Sequence, residues 1–190
     1  MILSLVAVGE TYREKLESLL HNFNTYKICL LTDLEREDVF YCEKYTDSRF
    51  SYFDKFYFTL NLINKFKEDV FYVDITKIDE IDLNFPKNQL FYYKSHWPYG
   101  DTFDSYKKYN YFEPLVKHWD RNNLNYDCLP AIRETELFFN KDIDSESIIE
   151  KLKEIQPIFR EMSIRESNYP GYDNGEGIAL SYALKSLNII

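Results

Sequence analysis

The chain has few of the residues that form disulfides or structural metal sites. Its three cysteines, Cys29, Cys42 and Cys128, are far apart and form neither a CxxC pair nor a Cys/His pattern of metal ligands. An odd number of cysteines also does not pair off into a disulfide framework. We therefore expect reduced thiols in a cytosol-like compartment.

Positive charge and long apolar runs are scarce as well. The 190 residues include 32 acidic and 23 basic side chains, a formal net charge of −9 at pH 7. This balance disfavours extended nucleic-acid binding, which needs a clustered Lys/Arg surface, but it is compatible with a small basic patch. No run approaches the roughly 18 apolar residues of a membrane helix, and residues 1–8 lack the positive charge that precedes a signal sequence. We expect a soluble, cytoplasmic protein, in the host cytoplasm if the gene is viral.

Several catalytic motifs are missing from the chain. It contains no Gly-x-Ser-x-Gly elbow, and the turn at Gly9 is neither a GxGxxG nor a P-loop sequence. None of the cysteines lies in a recognisable activating context. Serine hydrolase and cysteine nucleophile chemistry are therefore unsupported.

Aromatic residues, in contrast, are abundant. They make up 18% of the chain, with 17 Tyr and 15 Phe. Most of these rings are expected to build the core. Rings beyond the needs of the core can line sites for sugars or bases, because a flat face with a polar rim suits such ligands.

The first part of the chain alternates between apolar runs and amphipathic segments. The predicted strands are residues 2–8, 27–32, either 39–42 or 43–45, and 70–73, and the predicted helices are residues 10–23 and 52–66. Continuous apolar runs are typical of strands that are covered on both faces. The order predicts an α/β protein with a mostly parallel, Rossmann-like sheet flanked by helices.

The second part of the chain is less regular. We expect strands at residues 90–94 and 136–139, a helix at 145–159 that Pro157 ends or kinks, and a last helix at 176–187. The length favours a single domain over residues 1–190, with 1–80 and 81–190 as its two halves.

Polar residues follow three of the predicted strands, at Gly9, Asp33 and Asp74. The carboxyl ends of parallel strands meet at one edge of a sheet, and ligands of open α/β sheets bind outside that edge. A carboxylate such as Asp74 can hold a metal, a sugar or a phosphate there. The alternative is that a strand leaving the core simply ends on a polar residue. The backbone N–H groups of the Gly9 turn can face a nucleotide, or the turn can be structural.

In these residues the chain resembles glycosyltransferases of the GT-A fold, the nucleotide-diphospho-sugar transferase superfamily. Residues 5–12 are similar to the first strand and turn of that family, and residues 55–76 resemble its helix and the strand that ends in Asp-x-Asp. The resemblance implies a hexosyl- or pentosyltransferase that moves a sugar from a nucleoside-diphosphate sugar to a hydroxyl acceptor. Residues 1–80 would then bind the donor and residues 81–190 the acceptor.

The resemblance implies a donor site whose members are Gly9, Thr11, Tyr12, Asp33, Lys55, Asp74 and Thr76. The family motif chelates Mn²⁺ or Mg²⁺, ions that prefer oxygen ligands. Here Thr76 replaces the second carboxylate, so Asp74 either binds the metal with help from Thr76 or accepts hydrogen bonds from the donor ribose. Lys55 either neutralises donor phosphate or is a solvated helix lysine.

The resemblance also implies catalytic and acceptor residues in the second half. Two acidic residues match the acidic helix start that the family uses at the acceptor. Glu176 is the first candidate and Asp173 the second. A carboxylate there acts as general base in an inverting displacement or supports the reacting face in a retaining one. Alternatively, Glu176 only interacts with the helix dipole. His96, Trp97 and Tyr172 are the expected acceptor contacts, although His96 and Trp97 can equally belong to a packed surface loop.

Two other functions stay open. The missing second carboxylate favours a non-catalytic GT-A-like binding or assembly protein. A glycosyltransferase that acts on modified nucleic-acid bases would use a local basic face formed by Lys107, Lys108, Lys117 and Arg121. Salt-sensitive DNA binding would separate that function from enzymes that act on glycans or proteins.

Overall fold

A computed structural model describes residues 1–23, 25–47, 50–76, 85–86, 88–94, 117, 121, 129–130, 132–166 and 176–190. The chain forms two compact units. Unit 1 comprises residues 1–50, 54–94 and 135–145, and unit 2 comprises residues 51–53, 95–134 and 146–190. Residues 85–94 and 135–145 therefore belong to the same unit as the N-terminal strands. The division of a single domain into a donor half and an acceptor half near residue 80 stays a prediction.

Unit 1 contains a six-stranded sheet. Its strands are β1 (Ile2–Ala7), β2 (Lys27–Thr32), β3 (Tyr41–Lys44), β4 (Val70–Val73), β5 (Phe91–Tyr93) and β6 (Glu136–Phe139), in the order β3-β2-β1-β4-β6-β5. The first four strands are mutually parallel, β6 runs antiparallel to β4, and β5 runs antiparallel to β6. The predicted α/β class with a mostly parallel sheet is confirmed.

Two helices of unit 1 pack on opposite faces of this sheet. They are α1 (Glu10–Leu19), which a 3-10 turn extends over Leu20–Phe23, and α2 (Asp54–Phe66). Leu16 of α1 packs in one buried cluster with Leu3 and Leu5 of β1. On the other face the hydroxyls of Ser4 and Thr59 are 2.9 Å apart and buried, which joins β1 to α2. Alternate residues of β1 thus contact the two helices, as the apolar runs predicted.

Aromatic rings fill the part of the core beside β4. The ring centroids of Phe71 and Phe85 are 5.2 Å apart, and those of Phe85 and Phe138 are 4.3 Å apart. Because these distances are typical of stacked rings, the aromatic surplus serves partly as core packing. For these residues the structure agrees with the expectation that most of the rings build the core.

Two helices are described in unit 2, α3 (Ser145–Glu166, of which only Ser145 belongs to unit 1) and α4 (Glu176–Ser186). The prediction that a helix ends near residue 159 is wrong, because α3 continues through Pro157. Proline removes the hydrogen bond to the carbonyl four residues earlier. The buried side chains Leu152, Ile155 and Phe159 lie on both sides of it and hold the helix in place.

Helix α4 is buried at every position from Glu176 to Leu184. Burial at all positions, rather than along one stripe, is typical of a helix within a core. In the described part of the chain, no helix combines the length and the apolar character that crossing a membrane requires.

Candidate functional site

The ends of β1, β2 and β4 lie at one edge of the sheet, here called the carboxyl edge and defined by Gly9, Asp33 and Asp74. The parallel register pairs Ala7 with Thr32 and Ser4 with Tyr72. The three strands therefore leave the sheet on the same side, which confirms the predicted convergence. Strands β2 and β4 flank β1 on opposite sides, so the order of the chain reverses there. Such a reversal marks the crevice in which open α/β sheets bind ligands.

Gly9 forms the turn between β1 and α1. Its φ of 95° lies in the left-handed region, which glycine adopts without steric cost. Gly9 is also the N-cap of α1, and no side chain at that position caps the helix. The first backbone N–H groups of α1 and the positive end of its dipole therefore lie at the carboxyl edge.

Thr11 and Tyr12 follow in the first turn of α1, and both are exposed. The side chain of Tyr12 retains 42% of its accessible surface. Both residues belong to the predicted donor site. Their position places an exposed hydroxyl and an exposed ring beside the Gly9 turn.

Asp33 is held from a neighbouring element. Arg13 of α1 forms an ion pair with the Oδ2 atom of Asp33. This hydrogen bond lowers the pKa of the Asp33 carboxyl, and the backbone amides of Asp33 and Gly9 act in the same direction against the effect of partial burial. The hydroxyl of Thr32 donates to the carbonyl of Ala7 at 2.7 Å, which ties the end of β2 to the end of β1.

Asp74 is held within its own turn. The backbone N–H and the hydroxyl of Thr76 both donate to Oδ1 of Asp74, at 2.8 and 2.6 Å. The N–H of Asp74 donates to the carbonyl of Thr135 at 2.8 Å, and the Lys15 ammonium donates to the carbonyl of Thr76 at 3.0 Å. The segment Asp-Ile-Thr is thus a closed turn that two other segments of unit 1 hold in place.

This turn supplies one carboxylate to a metal, whereas the family motif supplies two. The Thr76 hydroxyl, the replacement for the second carboxylate, directs its proton to Asp74. Over the residues that the structure describes, no group of three or more His, Cys, Asp or Glu side chains could hold a metal ion. These residues do not by themselves fit the chelate of the family, and the predicted metal at Asp74 stays a prediction.

Lys55 lies in the first turn of α2 and is only 5% exposed. The alternative of a solvated helix lysine is therefore wrong. Thr59, which contacts Ser4 of β1, is one turn further along the same helix face. Helix α2 runs from the carboxyl end of β3 to the amino end of β4, so its first turn lies toward the carboxyl edge. Donor binding by Lys55 stays a prediction.

Four residues of this edge were not identified from the sequence: Arg13, Lys15, Tyr45 and Asp54. The N–H of Tyr45 donates to the carbonyl of Thr32 at 2.6 Å, and its hydroxyl donates to Asp54 at 2.9 Å. Contacts of this kind follow from the sheet order. The charge of α1 gave no signal for them, because this helix carries three acidic and two basic residues.

In unit 2, Glu176 is the first residue of α4 and is 5% exposed. A side chain on the next residue, Gly177, would overlap the carbonyl oxygen of Ile132 and lie 2.5 Å from Oε2 of Glu134. Glu134 is itself 7% exposed. Two buried carboxylates therefore flank Gly177, and the sequence pattern identified only one of them. Glu134 belongs to no regular element, so periodicity gave no signal for it.

The remaining predicted residues are less informative. Asp173, Tyr172, His96 and Trp97 lie outside the described residues, as do Lys107 and Lys108. Lys117 and Arg121 are described and exposed.

Cys29 lies on β2 and is buried. Cys29 and Cys42 are free thiols, and burial raises the pKa of Cys29 to about 12. A thiol with so high a pKa is a poor nucleophile near neutral pH.

No model of a known protein family matches the chain, and no curated protein matches it in sequence. A search of solved structures finds a similarity to the galactosyltransferase LgtC in complex with donor and acceptor sugar analogues. The two share 12% identity, the match covers 97% of this chain and 70% of that chain, and the TM-score is 0.44. A similarity at this level carries no conclusion about substrate or activity.

Proposed function

We propose that the chain is a glycosyltransferase that moves a sugar from a nucleoside-diphosphate sugar to a hydroxyl acceptor, with the donor at the carboxyl edge of unit 1. The observation that carries the proposal is the convergence of the polar ends of β1, β2 and β4 at the reversal of strand order.

The chemistry of this edge suits a ligand with both phosphates and hydroxyls. The N–H groups at the start of α1 favour an anion, and the basic residues Arg13, Lys15 and Lys55 lie on the two helices beside them. Asp33 and Asp74 are partly exposed carboxylates, which accept hydrogen bonds from sugar or ribose hydroxyls. The exposed ring of Tyr12 offers a face for a base. A nucleoside-diphosphate sugar contains each of these groups.

The proposed reaction is a displacement at the anomeric carbon of the donor sugar. The acceptor hydroxyl oxygen forms a bond to that carbon, and the bond from carbon to the diphosphate oxygen breaks. The nucleoside diphosphate leaves with the electron pair, and the hydroxyl proton passes to a carboxylate. For unit 2 we propose Glu176 as that base, which is its role by resemblance.

Ligand-dependent thermal unfolding tests the donor site. The full chain and its Asp74→Ala variant are heated with common nucleoside-diphosphate sugars, each with and without Mn²⁺. A donor well above its dissociation constant raises the unfolding midpoint of the wild-type chain by several degrees. The shift is expected to disappear in Asp74→Ala.

The matched control is Asp142→Ala. Asp142 is exposed and follows β6, which runs antiparallel and so ends at the opposite edge of the sheet. This variant is expected to keep the full shift. A shift that requires Mn²⁺ would show that the site uses a metal that the described residues alone do not hold. No shift with any donor, in a chain that unfolds cooperatively, would contradict the proposal.

Glu176→Gln tests the base. Removal of a general base is expected to lower kcat by about 100-fold or more while donor affinity stays the same. Glu150→Gln, an exposed site on α3, is the control and should leave kcat unchanged. An unaltered kcat in Glu176→Gln would exclude this role.

The closed turn of Asp74 and Thr76 favours one other candidate, a non-catalytic sugar-nucleotide binding protein. With its Oδ1 bonded to Thr76, Asp74 has less capacity to ligate a metal, while its Oδ2 atom can accept a hydrogen bond from a ligand hydroxyl. Donor binding without transfer or hydrolysis of the sugar would identify this function.

A further inference from the structure

Resting on the proposed donor site, we propose that Arg13 is a positioning residue of that site. It holds the Asp33 carboxylate against the turn between β1 and α1, and it keeps that turn in the shape that the donor diphosphate requires. In this role Arg13 acts through Asp33 and does not contact the donor.

The first step of the argument is the set of donors around Asp33. Arg13 bonds Oδ2, and the hydroxyl of Thr32, which donates to the carbonyl of Ala7, lies 3.4 Å from Oδ1. An ionised carboxylate accepts about four hydrogen bonds, so Asp33 keeps capacity for a ligand hydroxyl. Asp33 therefore joins the first turns of α1 to the ends of β1 and β2.

The second step is the conformation of Gly9. With a φ of 95° and no side chain, this residue is held by its surroundings and not by its own steric preference. One of the surrounding contacts is the hydrogen bond from the backbone N–H of Arg13 to the carbonyl of Gly9, at 3.1 Å. The loss of Arg13 frees the carboxylate to rotate and thereby removes a constraint on the turn.

The third step is charge. An Asp33 carboxylate without a cation beside it would repel a diphosphate at the nearby start of α1. The Arg13 guanidinium is about a quarter exposed, at 27%, and is joined directly to this carboxylate. Arg13 thus both orients and neutralises Asp33. A lysine at position 13 would neutralise the carboxylate but would orient it only in part.

The chain contains a natural control in Arg36. This residue joins the same loop after β2 to the same helix α1, through Glu17, and it also pairs with Asp38. Glu17 is one turn beyond Arg13 along α1, away from Gly9. The loss of Arg36 removes a comparable ion pair but leaves the contacts of Asp33 with the turn intact.

The test measures binding of UDP and GDP by calorimetry to the full chain and to Arg13→Ala, Arg13→Lys, Asp33→Ala, the double variant Arg13→Ala/Asp33→Ala, and Arg36→Ala. We expect Arg13→Ala to weaken binding about tenfold, Arg13→Lys to restore part of it, and Arg36→Ala to stay within about twofold of wild type. In the Asp33→Ala background, the additional change of Arg13 to alanine should weaken binding by a further factor of less than about two.

Two results would overturn the proposal. If Arg13→Ala weakens binding equally with and without Asp33, Arg13 contacts the diphosphate directly. If Arg13→Ala binds UDP and GDP as tightly as wild type, Arg13 does not position the donor site.

Backbone amide exchange by NMR gives a readout that needs no ligand. Arg13→Ala and Asp33→Ala should each raise the exchange rate of the residue-13 amide, which donates to the carbonyl of Gly9, at least about fivefold relative to Arg36→Ala after correction for intrinsic rates, with α3 unchanged. If wild type binds no nucleoside diphosphate, the proposed function fails. Unaltered exchange in Arg13→Ala would then overturn the positioning role as well, and faster exchange would support it.

Discussion

Each of the two units places a carboxylate beside the start of a helix, but the surroundings differ. In unit 1 the side chain of Asp33 is 34% exposed and is paired with a cation on α1. In unit 2, Glu134 and Glu176 are 7% and 5% exposed and flank a glycine that has no room for a side chain. A paired, partly exposed carboxylate tolerates change, because water replaces the lost partner. Buried carboxylates in a tightly packed region tolerate less change, because a substitution beside them displaces neighbouring atoms.

Gly177→Ala is expected to produce the largest effect, in unit 2. The new methyl group would overlap the Ile132 carbonyl, which is backbone and cannot rotate away. Overpacking costs typically 1–3 kcal/mol, partly offset by the better helix propensity of alanine, so we expect a loss of about 2 kcal/mol. Urea unfolding measures it, with the exposed Lys185→Ala on the same helix as the control. Equal stability of Gly177→Ala and wild type would show that this contact relaxes freely.

Ser4→Ala tests a buried polar contact of unit 1. The Ser4 and Thr59 hydroxyls bond each other across the interface of β1 and α2. The single change is expected to destabilise the protein by about 1–2 kcal/mol, because it removes the partner of a buried hydroxyl. Adding Thr59→Val should recover part of the loss. If the two losses simply add in urea unfolding, the pair is not the source of the effect.

Asp33→Asn is expected to have a smaller, pH-dependent effect. Since Arg13 lowers the pKa of Asp33 in the folded state, the stabilisation is present above the unfolded value near 3.9 and is lost as pH falls through the folded value. Both side chains are partly solvated, so the loss at pH 7 should be under about 1 kcal/mol. Unfolding at pH 7 and pH 3 measures it, with Arg13→Ala as the partner control. A difference from wild type that is the same at both pH values would contradict the ion pair.

Thr76→Val is expected to have the smallest effect. The hydroxyl that it removes donates to Asp74 in an exposed turn, so water can replace it. We expect a loss of about 0.5 kcal/mol, and none in Thr76→Ser, which keeps the hydroxyl. If urea unfolding shows a larger loss for Thr76→Val than for Asp33→Asn, the contact at the end of β4 contributes more stability than the contact at the end of β2, contrary to this prediction.

The sequence predicted best the elements that are short, apolar and clearly bounded. Strands β4 and β6 begin and end where the pattern placed them, because Val70–Val73 and Glu136–Phe139 have polar residues on both sides. The direction of β6 was not predictable. A buried strand has the same apolar pattern whether it runs parallel or antiparallel to its neighbour.

The candidate site was predictable in part. Asp33 and Asp74 were expected at one edge, because the ends of parallel strands converge. Their partners were not expected. Arg13 lies 20 residues before Asp33 on a helix, and no local pattern links the two. The proximity of Glu134 to Gly177 also joins residues that are distant in the chain.

The sequence alone determined which segments form strands and helices and which strand ends carry acidic residues, since these depend on local periodicity and on residue type. Only the tertiary structure decided which charges meet, which carboxylates are buried, and that Asp33 is joined to α1 while Asp74 is joined to its own turn. These outcomes depend on the strand order β3-β2-β1-β4-β6-β5, which brings together residues that are remote in the sequence.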